Sequence, residues 1–152
     1  MYYLKNYNSL SIICAILLAS EISCSELANK GIEPCGLDPN YVVYYEDVVK
    51  VVNDPNILLV DVRTVEEVRK TGKIPSSINI PVQQLRETLV NMSEDEFKQR
   101  YNRTKPTFSD NIIVYCQSGR RATTAFYHMV DLGFTKVKVY LGSWSDWSRR
   151  HH

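Results

Sequence analysis

Asn111-Ile112-Ile113-Val114-Tyr115-Cys116-Gln117-Ser118-Gly119-Arg120-Arg121-Ala122 decides the fold of this chain. A β-branched apolar run stops at a cysteine, a short turn of Gln, Ser, Gly and Arg follows, and a helical pattern then begins. That order predicts a buried strand with Cys116 at its C-terminal end and the sulfur facing the N-terminus of the next helix. Open α/β sheets bind ligands at the carboxyl ends of their strands. Helix N-termini favour anions because their first N–H groups have no intrahelical acceptor. A thiolate is an anion, so this setting sharpens a cysteine's reactivity. A structural cysteine at a strand end is the plainer reading, but it leaves two Arg and a Gly in one tight turn without a packing role.

The flanking sequence supplies the frame. Ile57-Leu58-Leu59-Val60 is another short apolar run, bounded by the turn Asn53-Asp54-Pro55-Asn56 and by Asp61, and suits a strand buried on both faces. Tyr41–Tyr44, Ile78–Ile80 and Val137–Tyr140 read as further strands. Thr64-Val-Glu-Glu67 and Ser93-Glu-Asp-Glu96 are capping boxes that open helices, the first ending at Gly72. Glu46–Val52 predicts a helix with Val48, Val49 and Val52 on one side, and Gln83–Val90 one with Leu85, Leu89 and Val90 on one side. Ala122, Ala125, Phe126, Met129 and Val130 form an apolar stripe at helical spacing, with His128 roughly opposite and facing solvent. A terminal helix begins near Leu141-Gly142-Ser143, and its Trp144 and Trp147 cover the sheet or wall the site. Strands alternating with helices mean an α/β fold, a mostly parallel sheet with helices on both faces.

A chain of 152 residues holds one domain with a full core, and a net charge of +1 offers no bulk field for nucleic acid or an anionic membrane. Four Cys, at 14, 24, 35 and 116, form no Cys-x-x-Cys pair, and with only three His no metal-ligand spacing arises; no cofactor is expected.

Before the domain, Leu10–Ala19 is a ten-residue apolar run followed by Ser23-Cys24-Ser25, the layout of a secretory signal peptide over residues 1–25. The run is too short for stable membrane insertion. A mitochondrial transit peptide is the rival, weakened by the absence of Arg before Arg63, and an uncleaved amphipathic anchor is the third reading. In a secreted protein Asn91-Met-Ser93 and Asn102-Arg-Thr104 become glycosylation acceptors. Residues 26–40 read as a linker, 41–148 as the domain and 149–152 as a tail. Cys35, within the linker, is an idle exposed thiol or a resolving partner for an oxidised Cys116.

Four stretches together resemble one family: Leu58-Leu-Val-Asp61-Val-Arg63, Gly72-Lys-Ile-Pro75 with Ile78-Asn-Ile-Pro81, Val114-Tyr-Cys116-Gln-Ser-Gly-Arg-Arg121, and Gly142-Ser-Trp144. The chain looks like a single-domain rhodanese, a sulfurtransferase, and is similar to the small thiosulfate:glutathione sulfurtransferases. The resemblance implies that Cys116 carries sulfur as a persulfide. A small anionic donor such as thiosulfate supplies that sulfur, and a thiol or cyanide receives it. It implies a substrate-binding loop of Gln117, Ser118, Gly119, Arg120 and Arg121, with Arg121 matching the Arg that closes the loop; Arg120 stands in a place that varies in the family and is the candidate to face substrate. Asp61 and Arg63 match the family's Asp-x-Arg and are expected to brace the loop as an ion pair, substrate contact being the lesser alternative. Lys73 departs from the family's usual His. Two other functions compete: a binding module without catalysis, and a Cys-dependent phosphatase or arsenate reductase. The latter use Cys-x5-Arg, whereas Cys116 to Arg121 is Cys-x4-Arg, a loop expected to suit one sulfur atom better than a phosphate. The sequence does not speak to oligomeric state.

Overall fold

A strand with no polar alternation has no face to give to water, so it needs covering on both sides. In the computed structural model, which describes residues 37–151, two such runs and a third strand with one exposed residue, Lys138, make the middle of a five-stranded sheet. They are β2 (Ile57–Asp61), β4 (Asn111–Tyr115) and β5 (Val137–Tyr140), flanked by the two-residue strands β1 (Val42–Val43) and β3 (Ile78–Asn79). The order is β1-β5-β4-β2-β3 and every pairing is parallel, with Leu59 opposite Ile113 and Val114 opposite Val139. All five carboxyl ends therefore lie at one end of the sheet, and Cys116 follows the central strand there. The expected secretory address, together with Cys14, Cys24 and Cys35, lies outside the described residues.

Among the described residues there are six α-helices: α1 (Tyr45–Val51), α2 (Val65–Thr71), α3 (Val82–Asn91), α4 (Glu94–Tyr101), α5 (Arg120–Asp131) and α6 (Ser143–Arg150). Alternation along β4 divides the core. Ile112, Val114 and Cys116 face one cluster with Leu85, Leu89, Phe97, Phe126 and Met129, from α3, α4 and α5. Ile113 and Tyr115 face a second cluster with Val48 and Trp147, from α1 and α6. The α/β reading with helices on both faces is what is observed. Leu37, in the stretch read as a linker, is buried in the first cluster, and α6 runs through Arg150.

Both capping boxes form, Thr64 with Glu67 opening α2 and Ser93 with Glu96 opening α4. The apolar stripes are narrower than the apolar pattern. Val49, Val90 and Val130 are exposed, whereas Val48, Leu89 and Met129 beside them are buried, because a helix lying on a single sheet covers only part of its circumference. His128, expected opposite the stripe, is partly buried. The strand expected over Tyr41–Tyr44 pairs only at Val42 and Val43, since Tyr41 belongs to a 3-10 turn and Tyr44 caps α1. Among the described residues, no helix is long and apolar enough to cross a membrane.

Candidate active site

Cys116 lies between the end of β4 and the start of α5, with 1% of its surface exposed. The turn that follows folds back over it. Gly119 caps α5 at φ 93 and ψ −32, a conformation that side-chain-bearing residues rarely adopt, and its N–H donates to Cys116 Sγ at 3.1 Å. The sulfur thus sits at the N-terminus of a 12-residue helix, where donors are unpaired and negative charge is favoured.

The first turn of α6 grips the same loop from the other side. Trp144 N–H donates to the Cys116 carbonyl and Ser145 N–H to the Gln117 carbonyl, each at 3.0 Å. The Gln117 side chain donates through Nε2 to Ser145 Oγ at 3.0 Å. Ser143 is fully buried with φ 53. Its hydroxyl accepts the Cys116 N–H at 3.1 Å, donates to the Tyr140 carbonyl at 2.8 Å, and lies 3.9 Å from Cys116 Sγ.

The two arginines of the loop have different surroundings. Arg120, the first residue of α5, is exposed, and its guanidinium makes no hydrogen bond or ion pair among the described residues. Arg121 turns inward and donates to both carboxylate oxygens of Glu67 at 2.7 Å. The Arg121 hydrogen bonds, aided by those from Thr64 and opposed by burial, hold the Glu67 carboxyl down to about 2. Arg121 in turn is pushed up, first by Glu67 and also by the nearby Cys116 sulfur. Ser118 is partly exposed on the same turn.

Asp61 and Arg63 are both fully buried and joined at 2.7 Å. Arg63 also donates from Nε to Asp61 Oδ1 at 3.0 Å, from Nη1 to Thr71 Oγ1 at 2.9 Å and from Nη2 to the Gly72 carbonyl at 2.8 Å. Its guanidinium stacks 4.7 Å from the centre of the Trp144 ring. Asn79 donates to the carbonyls of Asp61 and Arg63, so one hydrogen-bonded cluster links the ends of β2, α2 and β3. With no exposed surface, Arg63 is shut off from solvent. Burial, then the Asp61 charge, push the Tyr115 phenol above its ordinary value, and that hydroxyl bonds to Ser77 and to the Ile74 N–H. Lys73, in the position of the family's His, donates to the Ser77 carbonyl.

Two contributors went unread in the sequence. Glu67 is legible only as the last residue of the capping box Thr64-Val-Glu-Glu67, and nothing local announces a partner on α5. Ser143 stood inside Gly142-Ser-Trp144 without a visible role, because its contacts reach back to the cysteine across the sheet.

The sequence profile of the rhodanese-like domain family matches residues 45–150. A rhodanese domain-containing protein of Drosophila melanogaster is 42% identical over 106 residues, covering 70% of this chain and 95% of the relative. The thiosulfate:glutathione sulfurtransferase of Saccharomyces cerevisiae is 33% identical over 105 residues, 68% of this chain and 74% of that protein. From the same yeast, the mitochondrial thiosulfate sulfurtransferase RDL2 is 36% identical over 105 residues, 68% of this chain and 69% of the relative. Among solved structures, the human single-domain sulfurtransferase TSTD1 superposes with a TM-score of 0.67 at 28% identity, covering 74% of this chain and 98% of that one. The chain belongs to the rhodanese-like family of single-domain sulfurtransferases.

Proposed function

We propose that the chain moves a sulfane sulfur from a small anionic donor, thiosulfate or a persulfide, to a thiol or cyanide by way of a persulfide on Cys116. The observation that carries this reading is the Gly119 N–H held 3.1 Å from Cys116 Sγ at the mouth of α5. A donor at that point stabilises a sulfur anion before attack and the sulfur chain after it.

In the first half-reaction the Cys116 thiolate attacks the outer sulfur of thiosulfate. A new S–S bond forms, the S–S bond of the donor breaks, and its electron pair leaves with sulfite. In the second, the acceptor thiolate or cyanide attacks the terminal sulfur, and the Cys116 thiolate is regenerated. No net electron or proton is needed beyond those of the two nucleophiles. Arg120, exposed and without a partner among the described residues, is assigned to meet the anionic donor. Arg121, engaged with Glu67, keeps its charge near the sulfur and holds the loop shut. Cys-x4-Arg spacing supports a cradle for one sulfur atom over one for phosphate, and a placed thiol supports catalysis over binding alone. On location, the comparisons give secretion no support, while RDL2 carries a mitochondrial name; we favour the mitochondrial alternative, which N-terminal sequencing of the mature protein tests.

The test of function is direct. Protein mixed with thiosulfate and cyanide should release thiocyanate, and thiosulfate alone should add one sulfur to the Cys116 peptide by mass spectrometry. Cys116→Ala should abolish both, while Cys35→Ala should leave both intact. Turnover that persists in Cys116→Ala overturns the mechanism.

A further inference from the structure

The contacts of α6 with the Cys116 loop fix more than the loop's position. In a trans peptide the C=O and the following N–H point in opposite directions, and no peptide among the described residues is cis. Since the carbonyls of Cys116 and Gln117 turn towards the first turn of α6, the N–H groups of Gln117 and Ser118 must turn away from it. Neither N–H meets an acceptor among the described residues. With the Gly119 N–H they make a run of consecutive backbone donors, an anion-binding concavity. The orientation of that concavity is set by the placement of the α6 N-terminus.

Asp146 holds that N-terminus. It is largely buried in the first turn of α6, and its carboxylate accepts the Tyr140 hydroxyl at 2.9 Å, Arg149 at 2.9 Å and Arg150 Nε at 2.8 Å. Tyr140 is itself buried at the end of β5, and Arg150 reaches on to Glu46 of α1 at 2.9 Å. The approach is close. A Cβ on Gly142 would fall 2.7 Å from both Cβ and Oδ2 of Asp146, so only glycine fits between β5 and α6.

We propose that Asp146 is a positioning residue of the Cys116 loop: through Tyr140 it fixes the first turn of α6, whose donors capture the loop carbonyls and turn the Gln117 and Ser118 N–H groups towards an incoming anion. This rests on the reading of Cys116 as the nucleophile towards anionic donors, yet its consequence is measurable without sulfur transfer.

The readout is the ratio of alkylation rates at Cys116 by iodoacetate, an anion, and iodoacetamide, its neutral counterpart, followed on the Cys116 peptide of the full chain. Asp146→Ala and Tyr140→Phe should lower the ratio severalfold from wild type. Asp146→Asn, which keeps an oxygen for Tyr140, should stay close to wild type. Thiosulfate KM should rise in the same order. If Asp146→Ala fails to fold, Tyr140→Phe decides. A folded Tyr140→Phe or Asp146→Ala with an unchanged ratio overturns the proposal, as does an Asp146→Asn as impaired as Asp146→Ala. A wild type that alkylates with anion preference but accepts no sulfur from thiosulfate would instead overturn the sulfurtransferase reading and leave the positioning role standing.

Discussion

The carboxylate of Glu67 meets the guanidinium of Arg121 through two hydrogen bonds of 2.7 Å, and the same carboxylate accepts the Thr64 N–H at 2.9 Å. One side chain therefore closes the N-terminus of α2 and anchors the first turn of α5 beside Cys116. The loop is tied to the first turn of α2 by this pair, and to the end of β5 by α6.

Glu67→Gln keeps a capping side chain but removes the charge that pairs with Arg121. Turnover of thiosulfate should fall by about tenfold, which corresponds to about 1.4 kcal/mol. Both side chains are about one-third exposed, so solvent screening limits the stability loss to about 1 kcal/mol or less. Thiocyanate release and urea unfolding of the same preparation separate the two effects.

The same pair has a pH signature. The Glu67 carboxyl is lowered from 4.5 to about 2 in the folded chain. Its stabilisation is therefore complete above pH 4.5 and is lost as pH falls through 2. The urea midpoints of wild type and Glu67→Gln should differ by a constant amount above that window and converge within it. A gap that widens on acidification would contradict the assignment.

Arg63 is held by a carboxylate, a hydroxyl, a carbonyl and an indole face. Arg63→Ala leaves Asp61 charged and unpaired in the interior and should cost about 3–5 kcal/mol. Arg63→Lys should recover only part of this, since an ammonium cannot reproduce the fork or the stacking. Chemical denaturation provides the check.

Exposure separates Arg120 from Arg121. Arg120→Ala should raise thiosulfate KM severalfold with an unchanged melting temperature, and the wild-type KM should rise with ionic strength because exposed charges are screened. Arg121→Ala should lower both kcat and melting temperature, as it frees Glu67 and the loop together.

What the sequence made legible follows from the range of each interaction. Buried strands announce themselves as unbroken apolar runs, and capping boxes act over three residues, so Ile112–Tyr115, Thr64-x-x-Glu67 and Ser93-x-x-Glu96 could be read locally. Helical periodicity gives the direction of a buried face more surely than its width, which is why Val49, Val90 and Val130 were expected inside and lie outside. The grip on the Cys116 loop depends on Glu67, Ser143, Trp144 and Asp146, each distant in sequence from the cysteine. No local pattern encodes those contacts, because they exist only once the sheet has brought the strand ends together.

The grip by α6 also orders events in time. Cys116 leaves the ribosome before Ser143, Trp144 and Ser145, so the nascent chain carries the thiol without the donors that shape its surroundings. Because chains emerge from the N-terminus at a finite rate, the anion preference should be silent during synthesis and switch on when the last helix docks.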